Sequence, residues 1–154
     1  MNGKKFKMDR IDYQMRLGQV QLWDITNTDD APGMIHPYHM HGTAFTVISR
    51  DGQTPHPNEL GLKDTVAINP GEHVVIKVWY HVPGVFMYHC HIIEHEDGGM
   101  MAQIKVVDPA NLDKKYQLMD HMTLMMAFAE ERGVTMDDLW LGGMESYKKM
   151  GMEM

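Results

Sequence analysis

The 154-residue chain has a single cysteine, which excludes an internal disulfide. It also has no apolar run of the length a membrane span requires. Acidic residues outnumber basic ones and are scattered, and the net charge is −7. Phosphate binding needs a clustered basic surface, so nucleic acid is not an expected partner. The opening MNGKKFKMDRIDYQM carries basic residues with no apolar stretch behind them and does not read as a secretory signal. The expectation is a cytoplasmic protein as the sequence stands, or an exported one if a longer precursor has lost its front. The length suits one domain with a real core and is short for two.

What the chain has in excess is metal donors. Ten histidines and 17 methionines are high for this length, and imidazole with soft sulfur is the ligand set that suits copper. A lone cysteine is ordinarily a small buried hydrophobe. Cys90, however, stands between His89 and His91.

Residues 1–108 pattern as short strands broken by turns. Arg16–Asn27 alternates with period two and predicts one strand. Asp29 to Gly33 is a loop. Thr43–Arg50 is rich in β-branched residues and ends at Asp51-Gly52, a turn signal. A polar loop follows from Gln53 to Lys63. Thr65–Ile68, the turn at Asn69–Glu72 and His73–Tyr80 read as strand, turn, strand. Val85–His91 and Met100–Val107 close the series. Many short strands with frequent turns indicate an all-β sandwich or barrel. Asp108-Pro109 marks a boundary, and residues 109–154 predict a Met-rich helical C-terminal extension. Within it, Asp113–Arg132 places Leu118, Met122, Met125, Met126 and Ala129 at helical spacing, with Gly133 as a stop and a second short helix from Thr135.

Two clusters carry chemistry: His36-Pro37-Tyr38-His39-Met40-His41-Gly42, and HCHIIEHEDGGMM from His89 to Met101. A strand sends successive side chains to opposite faces. Cys90 therefore points one way while His89 and His91 point the other, and those two cannot share a single ion with the thiolate. The same argument counts against a cysteine-nucleophile reading. His95 and Met100 follow in the loop that leaves the strand, which can fold back and present both beside Cys90. With His36 added, the set is two nitrogens, a thiolate and a weak thioether, which is diagnostic of a blue copper site rather than zinc. His39 and His41 share a face in extended backbone. The simplest partition sends them to the same place as His89 and His91.

These residues resemble the multicopper oxidases. HPYHMHG is similar to the family's H-P-x-H-x-H-G, and HCHIIEHEDGGMM to its H-C-H-x-x-x-H-x-x-x-x-M. NGKKF and LGQVQLWDITN look like the start of the third domain in three-domain members. The match covers residues 1–107, with Phe86 standing where many members carry Trp. The resemblance implies a Greek-key β-sandwich of cupredoxin type, all-β, with the helical extension outside it. It implies type 1 copper on His36, Cys90 and His95 with Met100 axial, type 2 copper on His39, and the type 3 pair on His41, His89 and His91. Glu96 matches a family acid that supplies protons to the oxygen site, and electrons from a small reducing substrate would arrive at the edge of His95. The implied function is copper-dependent oxidation coupled to reduction of O2.

The family's trinuclear centre draws histidines from two domains, and the two His-x-His pairs here supply only half. His56, His73, His81 and His121 are isolated and do not replace the rest. The expected partner is a missing N-terminal cupredoxin domain, another subunit or a second copy in a homo-oligomer. The alternative is a stand-alone blue-copper electron carrier or copper-binding module. Met119, Met122, Met125 and Met126 read as helix packing before they read as a Cu(I) site.

Overall fold

A computed structural model of the chain describes residues 1–30, 32–118, 123, 126, 127, 129, 130 and 133–135. The chain separates into two compact units, Met1–Leu118 and Met119–Met154.

The first unit is an all-β sandwich. Its strands are β1 (Tyr13–Arg16), β2 (Gln21–Thr26), β3 (His36–Met40), β4 (Phe45–Arg50), β5 (Thr65–Ile68), β6 (His73–Val78), β7 (Gly84–Cys90) and β8 (Met101–Val107), with a 3-10 turn at Pro57–Glu59 and a short α-helix, α1 (Ile93–Asp97). One sheet has the order β1-β8-β7-β3-β5 and the other β2-β6-β4. Period-two patterning drives both. In β6 the buried residues are Val74, Ile76 and Val78, and the alternate ones are half-exposed. In the larger sheet Phe86 and Tyr88 of β7 turn the same way as Ile104 and Ala102, their ladder partners on β8, and Cys90 continues that face. These residues are all buried, and with the β6 valines they form the core between the sheets. Trp23 of β2 meets Tyr88 edge-on across the sandwich, with ring centroids 5.4 Å apart.

The Arg16–Asn27 expectation is corrected. The chain turns at Leu17-Gly18. Tyr13–Arg16 pairs in parallel with β8, while Gln21–Thr26 pairs antiparallel with β6 in the other sheet. Periodicity assigns a face to each residue but not a sheet to each strand. The expected strand-turn-strand over 65–80 is present as β5 and β6, ending at Val78.

The first unit runs past Asp108-Pro109 to Leu118, which bridges in parallel to Val85. Asp113 lies in a turn and 114–117 have no regular structure, so the predicted helix does not begin at Asp113. The Leu118 backbone is engaged by β7 and is not available to a helix. In the second unit, taken by itself, Thr123, Met126, Ala127, Ala129 and Glu130 are helical. Gly133 closes that helix at φ 64° with the paired bonds of a Schellman motif, from Gly133 N–H to Glu130 O and from Val134 N–H to Ala129 O. Met119, Met122, Met125 and the expected helix beyond Thr135 lie outside the described residues. Among the described residues no helix is long and apolar enough to cross a membrane.

Candidate metal centres

Strands β3 and β7 build the site. They pair antiparallel with Tyr38 opposite Cys90, His39 opposite His89 and Met40 opposite Tyr88. The ladder is extended at both ends, by His91 N–H donating to Pro37 O at 2.8 Å and His41 N–H to Met87 O at 2.9 Å. This register settles the faces. His36, Tyr38 and Met40 share the core side with Tyr88 and Cys90, and His39 and His41 share the reverse side with His89 and His91.

On the core side three donor atoms converge. His36 Nδ1 lies 3.4 Å from Cys90 Sγ, His95 Nδ1 lies 3.5 Å from the same sulfur, and the two nitrogens are 3.2 Å apart. An ion at the centre of this triangle would be about 2 Å from each donor, the length of a metal–imidazole bond. Cys90 is buried, and burial raises its thiol pKa in the metal-free protein. A cation reverses that balance, because a coordinating thiol is deprotonated outright. Trigonal His2Cys geometry with a weak axial thioether is the blue-copper arrangement. Copper therefore fits these residues.

The segment that the sequence presents as a loop contains α1, and its backbone binds the other donors together. Met100 N–H donates to His95 O at 2.8 Å, and Cys90 N–H donates to Met100 O at 3.1 Å. Met100 also lines, with His36, Cys90, Tyr38, Trp23 and Tyr88, a cavity of about 560 Å³.

On the reverse side the four imidazoles stand together. Ring centroids are 5.0 Å apart for His39 and His41, 5.3 Å for His39 and His89, 5.2 Å for His39 and His91, and 5.1 Å for His41 and His89. The ring nitrogens of His39, His41 and His89 converge enough to hold an ion, and the Nε2 atoms of His41 and His89 are 3.0 Å apart. Backbone carbonyls set two of the tautomers. His39 Nδ1–H donates to Asp64 O at 2.9 Å, with Thr65 Oγ1 at 3.0 Å. His89 Nδ1–H donates to Cys90 O at 2.9 Å. Each ring thus leaves Nε2 unprotonated and able to serve as a ligand, the usual device for orienting metal-binding histidines. Burial lowers the pKa of His39. Burial and then the neighbouring imidazoles lower that of His41 to about 4. Both rings are neutral donors at physiological pH. His91 is exposed, so this cluster opens to the surface. Glu96 Oε2 lies 3.4 Å from His89 Nδ1.

Gly42 ends the first motif for a steric reason. Its φ is 70°, and a Cβ there would meet the Phe86 ring at 2.3 Å. Sequence reasoning missed the partners of the histidines, namely Asp29 on His36 and Asp64 with Thr65 on His39. These contacts join segments with no periodic relation, and only the turn-like composition around Asp29 marked it at all.

A two-sheet sandwich carrying a His2Cys site beside a histidine cluster defines a copper-binding domain. The chain belongs to the multicopper oxidase family, whose model matches residues 1–110. It is 47% identical over 109 residues to the multicopper oxidase mco of Staphylococcus haemolyticus, covering 70% of this chain and 24% of that protein. It is 37% identical over 158 residues to a laccase of Haloferax volcanii, covering 94% of this chain and 27% of that one. The crystal structure of a multi-copper oxidase from Pediococcus acidilactici superposes with a TM-score of 0.73 at 52% identity, covering 77% of this chain and 25% of that chain. The chain thus spans about a quarter of the length of these relatives.

Proposed function

We propose that this chain is the electron-accepting domain of a multicopper oxidase. His36, Cys90, His95 and Met100 would hold type 1 copper. The chain contributes His39 to a type 2 copper and His41, His89 and His91 to a type 3 pair. Copper at these sites would supply one-electron redox chemistry, by which four electrons from a reducing substrate, with four protons, would convert dioxygen to two waters. The observation that carries the reading is the β3–β7 register, which aims two donor sets to opposite sides of one ladder and joins them covalently at Cys90.

The residues divide the work. His95, half-buried on the short helix after β7, presents the edge that a small reductant approaches. Cys90 and its bonded neighbours His89 and His91 form the shortest covalent route between the two faces. Glu96, beside His89, holds and delivers protons at the oxygen-reducing site. The carbonyl partners of His39 and His89 keep those rings in one tautomer. The imidazole face, which opens to the surface at His91, is completed by histidines from a partner, either an N-terminal cupredoxin domain or another copy of this chain. A simple blue-copper carrier has no use for four histidines on that face.

Copper stoichiometry, visible absorption and oxygen uptake of the copper-loaded chain test this reading. The expected result is a blue band from each chain with further copper on its histidine face, and oxygen consumed once that face is completed by a partner. One blue copper per chain and no further copper in any assembly would establish a carrier instead.

A further inference from the structure

Asp29 stands outside both donor sets, yet its carboxylate is bound to one of the proposed ligands. His36 Nε2 lies 3.0 Å from Asp29 Oδ2. A carboxylate oxygen only accepts, so the ring hydrogen sits on Nε2. Nδ1 keeps its lone pair, and it is Nδ1 that faces Cys90 Sγ at 3.4 Å.

The carboxylate is itself held in place. Asn27, buried at the end of β2, accepts the Asp29 N–H on Oδ1 at 3.1 Å. Through Nδ2 it donates to Met34 O at 2.8 Å and Ile68 O at 3.0 Å. Met34 N–H reaches back to Asp29 Oδ2 at 3.4 Å. One buried amide thus closes the loop that leads into β3 and ties it to β5. Asp29, half-buried within that loop, is pinned against the His36 ring.

We infer that Asp29 is a positioning residue for His36: it fixes the tautomer and orientation that aim Nδ1 at the metal, and it sets a negative charge one imidazole away from it. The inference rests on the type 1 assignment above. A carboxylate behind a ligating imidazole raises the ligand's basicity. It stabilises Cu(II) more than Cu(I), because the interaction scales with the charge on the ion. Asp29 therefore holds the reduction potential of the site down as well as its affinity up.

The test uses the full chain loaded with copper, and compares Asp29→Ala, Asp29→Asn and Asp24→Asn. Asp24 is exposed on β2 and pairs with His73 at 2.5 Å, so its variant removes a nearby charge without touching a ligand. Cu(II) affinity is read by chelator competition and the potential by redox titration of the visible band. Asp29→Ala should weaken Cu(II) binding about 10-fold or more. Its potential should rise by about 59 mV for each tenfold of Cu(II) affinity lost relative to Cu(I). Asp29→Asn keeps an oxygen acceptor, so it should lose less affinity than the alanine variant yet still show the rise. Asp24→Asn should match the parent in both. Parent-like affinity and potential in the Asp29 variants, or the same rise in Asp24→Asn, would overturn the inference. If Asp29→Ala does not fold, the near-isosteric Asp29→Asn decides alone by its potential. No blue band in the parent chain would overturn the type 1 assignment itself, and this role for Asp29 with it.

Discussion

Tyr38 stands directly across the β3–β7 ladder from Cys90. One step along each strand, His39 stands across from His89 on the reverse side. A single register therefore decides which residues meet in the core and which meet outside it. A slip of one residue would send every side chain of a strand to the opposite face. The two donor sets are in this sense one structural fact.

Their separation is open to mutation. Replacing His39 and His41 together with alanine removes two outward imidazoles and touches nothing on the core side. The expected variant keeps the blue band of the parent and binds less copper per chain, measured by metal analysis beside the visible spectrum. Loss of the blue band in a folded variant would mean that the two faces do not act as separate sites.

The turn that follows His41 is equally specific. Gly42→Ala must accept a left-handed backbone, and its methyl must displace the fully buried Phe86, which stacks on Tyr80 with centroids 4.9 Å apart. The combined cost is about 3 kcal/mol, read as a lower urea midpoint without a change in slope. A loss below about 0.5 kcal/mol, the scale of a neutral surface change, would show that the Phe86 ring yields freely.

Much of this site is legible in the sequence, because alternation along a strand is a local rule. Val85–His91 reveals its two faces without any knowledge of its neighbours, and His-x-His reveals a shared face in the same way. Partnership between segments is not local. Nothing in Arg16–Asn27 says that Arg16 belongs to the other sheet, and Asp29 gives no hint that it will lie on His36. The helix over Ile93–Asp97 is equally hidden. It is a single short turn of chain held by its anchors in Cys90 and Met100 rather than by helical patterning.

Arg50 supplies a pH-dependent contribution remote from the metal sites. It is buried and binds Glu59, and its Nη1 lies 2.8 Å from Glu72 Oε2. Arg50 holds the Glu59 carboxyl below its ordinary value of 4.5. Burial pushes Glu72 upward, but the Asn69 amide and Arg50 more than offset it and leave that carboxyl lowered as well. Both groups take up protons less readily folded than unfolded. Their stabilisation is full above pH 4.5 and fades as the pH falls through the lowered values. Arg50→Met should cost about 3 kcal/mol at neutral pH, and the deficit should shrink on acidification below that range. Urea unfolding at several pH values checks it, and a deficit that stays constant into acid would contradict the assignment.

The central claim is that the thiolate of Cys90 binds copper between His36 and His95. The most direct measurement is the visible absorption of the Cu(II)-loaded chain beside its Cys90→Ser variant, with copper content determined on both. The parent should be blue, and the variant should lose the band while its outward histidines still take up copper. An undiminished blue band in the serine variant, or a colourless parent with copper bound, would contradict it.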